Sequence, residues 1–169
     1  MKRLHPTDKS DLGTVMEKIK DLLRSNSVQF RQVHHQPART SRESALARGE
    51  DLAIGGKALL LKVDDAFRLF VLSAARRLDS SAIKRYFHAK RIRFASREEL
   101  KELTGLEPGA VPPFGQPIMD LELWVDESIL RNEKIAFNAG TLTDSIVMAV
   151  KDYLQLATPK IFSFSTEVR

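Results

Sequence analysis

Chemistry in this chain has few side chains to work with. It contains no cysteine, so a thiolate nucleophile, a disulfide framework and cysteine-based zinc or iron–sulfur sites are all excluded. Its four histidines, His5, His34, His35 and His88, are too scattered for metal-ligand spacing, and no HExxH is present, so a structural or solvent-facing role is expected for each. Gly55-Gly56-Lys57 invites comparison with a phosphate loop. The spacing fails, because the preceding glycine is Gly49 and Ala58 follows the lysine. No Gly-x-Ser-x-Gly elbow exists for a serine nucleophile.

Three loop-edge signals remain. Lys57 opens the very apolar run Ala58-Leu59-Leu60-Leu61, where an ammonium group is expensive to bury without a partner. It is either an exposed strand terminus with its charge in water or a pocket residue. Between Gly105 and Gly115 lie three glycines and three prolines within eleven residues. Proline fixes φ and removes a donor while glycine permits close backbone approach, so this is a stiff loop of defined shape. It is either a rigid connection or a cradle of backbone amides for a carbonyl or developing oxyanion. Asn138-Ala139-Gly140-Thr141 is likewise a turn or part of a site.

The elements that must position these signals follow from periodicity. Leu12, Val15, Met16, Ile19, Leu22 and Leu23 mark an amphipathic helix over Asp11 to Arg24, and Val28 to His34 alternates as a strand. Thr40 with Glu43, and Ser96 with Glu99, are capping-box signatures for two short helices that stop at Gly49 and Gly105. Lys57–Val63 and Phe67–Leu72 form a hairpin around Asp64-Asp65 at the centre of the core. Asp79 or Ser80 caps a helix carrying Ile83, Tyr86 and Phe87. Further strands are expected at Arg91 to Ala95, Asp120 to Asp126, Lys134 to Asn138, Ser145 to Val150 and Ile161 to Phe164, with a short helix from Lys151 to Leu156. The reading is a single mixed α/β domain over 1–169, with helices around a curved or barrel-like sheet.

At 169 residues the chain is about one domain, long enough to bury a proper core. No segment is both apolar and long enough to cross a bilayer, and the start, Met1 to Pro6, does not read as a secretory signal, so the expected location is the cytoplasm with no membrane partner. The net charge is +5. The excess gathers between Arg76 and Lys101, where nine basic residues face Asp79, Glu98 and Glu99. Such a segment is a solvated surface or an attractor for a polyanion such as RNA, because each neutralised phosphate releases a counterion. It lacks helix-turn-helix spacing and an aromatic RNA-stacking motif, and no DNA partner is expected.

Taken in order, Gly56-Lys57-Ala58-Leu59-Leu60-Leu61, then Gly109-Ala110-Val111-Pro112-Pro113-Phe114-Gly115, then Phe137-Asn138-Ala139-Gly140, the chain resembles the YbaK family. That family includes the editing insertion of bacterial prolyl-tRNA synthetases and its free-standing relatives, and the resemblance is strongest over 12–156. It implies a trans-editing deacylase that hydrolyses the ester of mischarged aminoacyl-tRNA without metal or cofactor. Carried over by position, Lys57 contacts the terminal nucleotide and aminoacyl group, and Gly109 and Pro113 belong to a GxxxP loop that holds the aminoacyl moiety and positions a water. Ala110, Val111, Pro112, Phe114, Gly115, Asn138, Gly140 and Thr141 complete the substrate-binding set. Lys84, Arg85, Arg91 and Arg93 offer phosphate contacts to the acceptor end, and an aminoacyl-tRNA synthetase is a further partner to consider. The alternative is a non-catalytic module of the same fold that binds tRNA or a synthetase. Ala58 stands where relatives commonly have threonine, and Thr141-Leu142-Thr143-Asp144 where many have basic or histidine-containing sequences. The amino acid removed is therefore open among cysteine, alanine, serine and threonine.

Overall fold

A computed structural model describes residues 13–168. Helix α1 (Val15–Ser25) begins with a full capping box between Thr14 and Glu17 and buries Ile19 and Leu23. Asp11 and Leu12 of the expected helix lie outside the described residues, as does His5. Strand β1 (Phe30–His34) and helix α2 (Ser41–Arg48) follow, then a 3-10 turn at Leu52–Ile54 and the hairpin β2 (Gly56–Val63) with β3 (Ala66–Ser73). Next come β4 (Arg76–Leu78), α3 (Ser80–Tyr86), β5 (Ile92–Phe94) and α4 (Arg97–Thr104). After the glycine- and proline-rich loop the chain forms β6 (Glu122–Asp126), α5 (Glu127–Leu130), β7 (Lys134–Asn138), β8 (Asp144–Ala149), α6 (Val150–Ala157), β9 (Lys160–Phe162) and β10 (Ser165–Glu167).

The fold is mixed α/β, as expected. Its main sheet runs β5-β2-β3-β6-β9, with β3–β6 and β6–β9 parallel and the remaining pairs antiparallel. A second sheet runs β1-β8-β7, and β10 pairs with β4. The main sheet is open-edged rather than closed. The two larger sheets meet where Gly55 bridges Ala136.

Alternation along the central strands explains why they are apolar throughout. Leu60, Leu69, Val71, Leu123 and Val125 face a core shared with α1, α6, β7 and β8, while Leu61, Val63, Phe70, Leu72 and Trp124 face a second core closed by Ile83 of α3 and Phe164. A strand buried on both faces reads as a continuous hydrophobic run. Only the far end of β2 is covered laterally: β5 pairs with Leu61, Lys62 and Val63. Among the described residues no strand pairs with the edge beside Lys57 to Leu59.

Candidate functional site

That open edge forms one wall of a cavity of about 250 Å³. Gly55, Gly56, Lys57, Ala58 and Leu59 line it from the main sheet, Thr40, Ser41, Ser44 and Arg48 from α2 and its cap, Gly109 and Val111 from the loop, and Asn138 from the end of β7. The three signals singled out in the sequence therefore converge. A slot of about 150 Å³ adjoins it, sharing Ala58, Leu59, Gly109 and Val111 and reaching Phe94, Ser96, Arg97 and Leu100.

Helix α2 carries the floor. Thr40 caps it by accepting the Glu43 amide, and Glu43 in turn accepts the Arg39 amide rather than that of Thr40, so the expected box is only half formed. The helix is inverted relative to ordinary amphipathicity. Leu46 is 79% exposed, whereas Ser44, Ala45 and Arg48 turn inward and Arg48 is only 8% exposed. Gly49 ends the helix in the left-handed region.

The Arg48 guanidinium is held side-on. Nε donates to Ser145 Oγ at 2.9 Å and Nη2 to Asn138 Oδ1 at 3.1 Å. No carboxylate neutralises it among the described residues, and burial pulls its pKa down from the ordinary arginine value to about 10. Asn138 Oδ1 also accepts from Ser145 Oγ at 3.0 Å, and its Nδ2 donates to the Gly109 carbonyl at 2.8 Å. Two donors on one side and a carbonyl on the other set the orientation of this amide. Asn138 is thus a clamp between the floor and the loop. His35 reaches the same cluster, its Nε2 lying 2.8 Å from Ser145 Oγ and its Nδ1 2.7 Å from the Gln36 carbonyl.

Lys57 is half-buried, and burial lowers its pKa from the ordinary lysine value. Its Nζ has one long contact among the described residues, 3.4 Å to the Arg76 carbonyl, and no carboxylate partner among them. The turn that delivers it is tied down from below. Asp126 accepts from the Phe164 amide, the Ser165 hydroxyl and the Ser128 amide. Ser128 Oγ accepts the Ser73 amide at 3.0 Å, and Ser73 Oγ donates to the Ala53 carbonyl at 2.6 Å. Burial alone would raise the Asp126 pKa, but hydrogen bonds from Ser128, Ser165 and Phe164 outweigh it and hold the carboxyl below its ordinary value.

Within the loop the residues divide by role. Gly109 and Val111 line the cavity, and their amides have no hydrogen-bond partner among the described residues, whereas the Ala110 amide donates to Glu107. Ala110, Pro112, Pro113, Phe114 and Gly115 are buried and do not line it. Phe114 packs edge-on against Phe137 and Tyr153, the Tyr153 hydroxyl donates to the Pro113 carbonyl, and a Cβ at Gly115 would collide with the Leu121 carbonyl. These residues hold the shape that Gly109 and Val111 present.

Gly140 and Thr141 also stand behind the cavity rather than on it. The Gly140 amide donates to the Ala110 carbonyl at 2.9 Å, and Thr141 and Thr143 donate to Asp144. Lys84 and Arg85 project from α3, and Arg91 and Arg93 from the β5 margin; none lines the cavity. Arg93 is fully engaged by Glu99, at 2.7 and 3.0 Å. No group of three histidine or acidic side chains among the described residues could hold a metal ion.

Arg48, Ser44 and Ser145 went unnoticed in the sequence. The available signal was spacing: a Thr40 cap places Ser44 and Arg48 one turn apart on a single face of a helix whose one large apolar residue is Leu46.

The fold belongs to a known class. Residues 35–156 match the aminoacyl-tRNA editing domain, and the chain is a member of that family. It is similar to the multifunctional Ser/Thr-tRNA deacylase ProXp-y of Escherichia coli K12, at 35% identity over 149 residues, covering 85% of this chain and 88% of the relative. A proline–tRNA ligase of Shouchella clausii is 35% identical over 103 residues, 61% of this chain but 18% of the ligase. The crystal structure of a candidate trans-editing enzyme for prolyl-tRNA synthetase superposes with a TM-score of 0.77 at 24% identity, covering 91% of this chain and 98% of that one.

Proposed function

We propose that the protein is a trans-editing aminoacyl-tRNA deacylase acting in the cytoplasm on the acceptor end of mischarged tRNA, with hydroxyl amino acids, serine and threonine, as the esters removed. The observation that carries this reading is the convergence of Lys57, Gly109, Val111 and Asn138 on one cavity in a chain of the editing family. The name of the Escherichia coli relative supports the substrate class.

The reaction is ester hydrolysis. A water oxygen bonds to the ester carbonyl carbon, the carbonyl oxygen takes up negative charge, and the carbon–oxygen bond to the ribose then breaks as the ribose oxygen gains a proton. The unpartnered amides of Gly109 and Val111 are donors for the oxyanion, and such donors act most strongly when preorganised. Among the described residues no histidine or carboxylate lines the cavity, so proton transfer falls to water and to the ribose hydroxyl beside the ester. Orientation therefore supplies most of the acceleration. Lys57, at the rim with no counter-ion among the described residues, meets the phosphodiester of the terminal nucleotide. The adjoining slot takes a base against the Phe94 ring, which is 58% exposed, a stacking surface for single-stranded RNA.

The test is a panel of tRNAs charged with serine, threonine, alanine and cysteine, incubated with purified protein. Release of serine or threonine at catalytic turnover is expected. A panel left intact at micromolar protein overturns the reading, and binding of charged tRNA without hydrolysis converts it to that of a non-catalytic module.

A further inference from the structure

Arg48 is the one buried cation among the described residues, and two of its three nitrogens are accounted for by Ser145 and Asn138. The third, Nη1, makes no hydrogen bond within the described protein and lies beside Gly55, where a Cβ would come within 3.7 Å of it. One turn earlier on α2, Ser44 is also buried, and its Oγ has no hydrogen-bond partner among the described residues. Neither atom is sealed away from the cavity: Trp124 Nε1 is the side-chain polar atom that is both fully enclosed and unpartnered among the described residues. Ser44 and Arg48 thus present a potential acceptor and a permanent donor, side by side, to the cavity floor.

A buried charge without a counter-ion is unfavourable by itself, so an occupant that offers Nη1 an oxygen is favoured. Guanidinium donates and cannot accept. A tRNA phosphodiester continues as chain on both sides and reaches the rim at Lys57, not a floor 8% exposed. The α-ammonium of an aminoacyl ester is repelled by the like charge. The ester carbonyl is served by the Gly109 and Val111 amides in the reading above. What remains is the side chain of the esterified amino acid.

Resting on the deacylase reading, we propose that Arg48 Nη1 donates to the side-chain hydroxyl oxygen of the bound amino acid while Ser44 Oγ accepts its hydrogen, so that this pair selects serine and threonine over alanine. Alanine brings a methyl group to the same place and leaves both polar groups desolvated and unpaired. Sites built around a substrate hydroxyl reject the analogue that lacks it far more strongly than apolar pockets distinguish a methylene.

The experiment compares kcat/KM for one tRNA charged with serine, threonine or alanine, in the wild type, Ser44→Ala, Arg48→Lys and Arg48→Met, each first checked by thermal melting. The serine-to-alanine ratio is expected to fall about 10- to 100-fold in each variant, through loss on the serine ester. A uniform loss of kcat across all esters overturns the proposal and makes Arg48 a positioning residue for Asn138 and Gly109. Binding to non-hydrolysable seryl and alanyl amides of 3′-aminoadenosine, measured by calorimetry on the wild type and Ser44→Ala, reads the same pair independently of turnover and of whether Arg48 variants fold. Tighter wild-type binding of the seryl amide, with that preference reduced in Ser44→Ala, supports the proposal. Equal wild-type binding of the two amides overturns it. Hydrolysis absent for every ester, with the seryl preference intact, rejects the deacylase reading alone.

Discussion

Arg48 and Arg93 are the same residue type in opposite settings. Arg93 sits on the exposed β5 margin with both terminal nitrogens on Glu99. Its neighbours Arg97 and Lys101 share Glu107 in the same way. The Glu99 hydrogen bond and charge hold the Arg93 pKa above its ordinary value. Arg48 is buried, faces hydroxyl and amide oxygens, and has its pKa lowered by burial alone. A run of basic residues in a sequence marks where polyanions are attracted, but carboxylates already answer part of that charge. A cation left unanswered inside a cavity is the one with binding capacity in reserve.

The comparison is tested most severely at Asn138, which ties the floor to the loop. Asn138→Ala removes the acceptor for Arg48 and the donor to the Gly109 carbonyl together, so kcat is expected to fall about 100-fold. Steady-state deacylation within threefold of the wild type would show that floor and loop are not coupled. Lys57→Ala is expected to act mainly on KM, by about tenfold, and to reduce the salt slope of tRNA binding by about 0.7, the increment for one phosphate contact on a single strand. Measurement of KM from 50 to 200 mM salt checks both, and an unchanged slope removes the phosphate assignment.

Asp126 supplies a structural counterpart in which a buried charge is fully answered. Its folded pKa is depressed, so its stabilisation is complete above the unfolded carboxylate value and is lost as pH falls through the folded value. Melting curves from pH 7 to pH 2 should show Asp126→Asn less stable than the wild type at neutral pH, by about 1–3 kcal/mol, with the gap closing in acid. A constant gap refutes the assignment. The smallest effect is expected at Arg93, where Glu99 already occupies the guanidinium. Arg93→Ala should change KM less than threefold, and a larger rise would restore this margin as a principal tRNA contact.

Much of the fold was legible because local rules and tertiary outcome agreed. The Ser96–Glu99 box opens α4, the Asp64-Asp65 turn joins β2 to β3, and β7 spans the expected Lys134 to Asn138. Strand β4 and helix α5 escaped notice, since each is a short element held by partners distant in sequence, β10 and the Ser73–Ser128 bond. In the site, Lys57, Gly109, Val111 and Asn138 came from motif and loop chemistry. Pro113, Phe114 and Gly115 belong to the same motif yet serve as buried supports. Motif spacing marks a segment without saying which of its residues face the ligand.

The sequence by itself determined the class of chemistry available, through the absence of cysteine and the placing of Gly109 and the prolines, and it determined the periodic elements that close the core. Tertiary structure alone decided which polar groups are left without partners. Helix α2 has one large apolar residue, Leu46, and its pattern would turn that residue inward. Packing beside Ser145 and Asn138 turns Arg48 and Ser44 inward instead. Hydrogen-bond satisfaction is a property of neighbours as far as 110 residues apart, as between His35 and Ser145, and no local period encodes it.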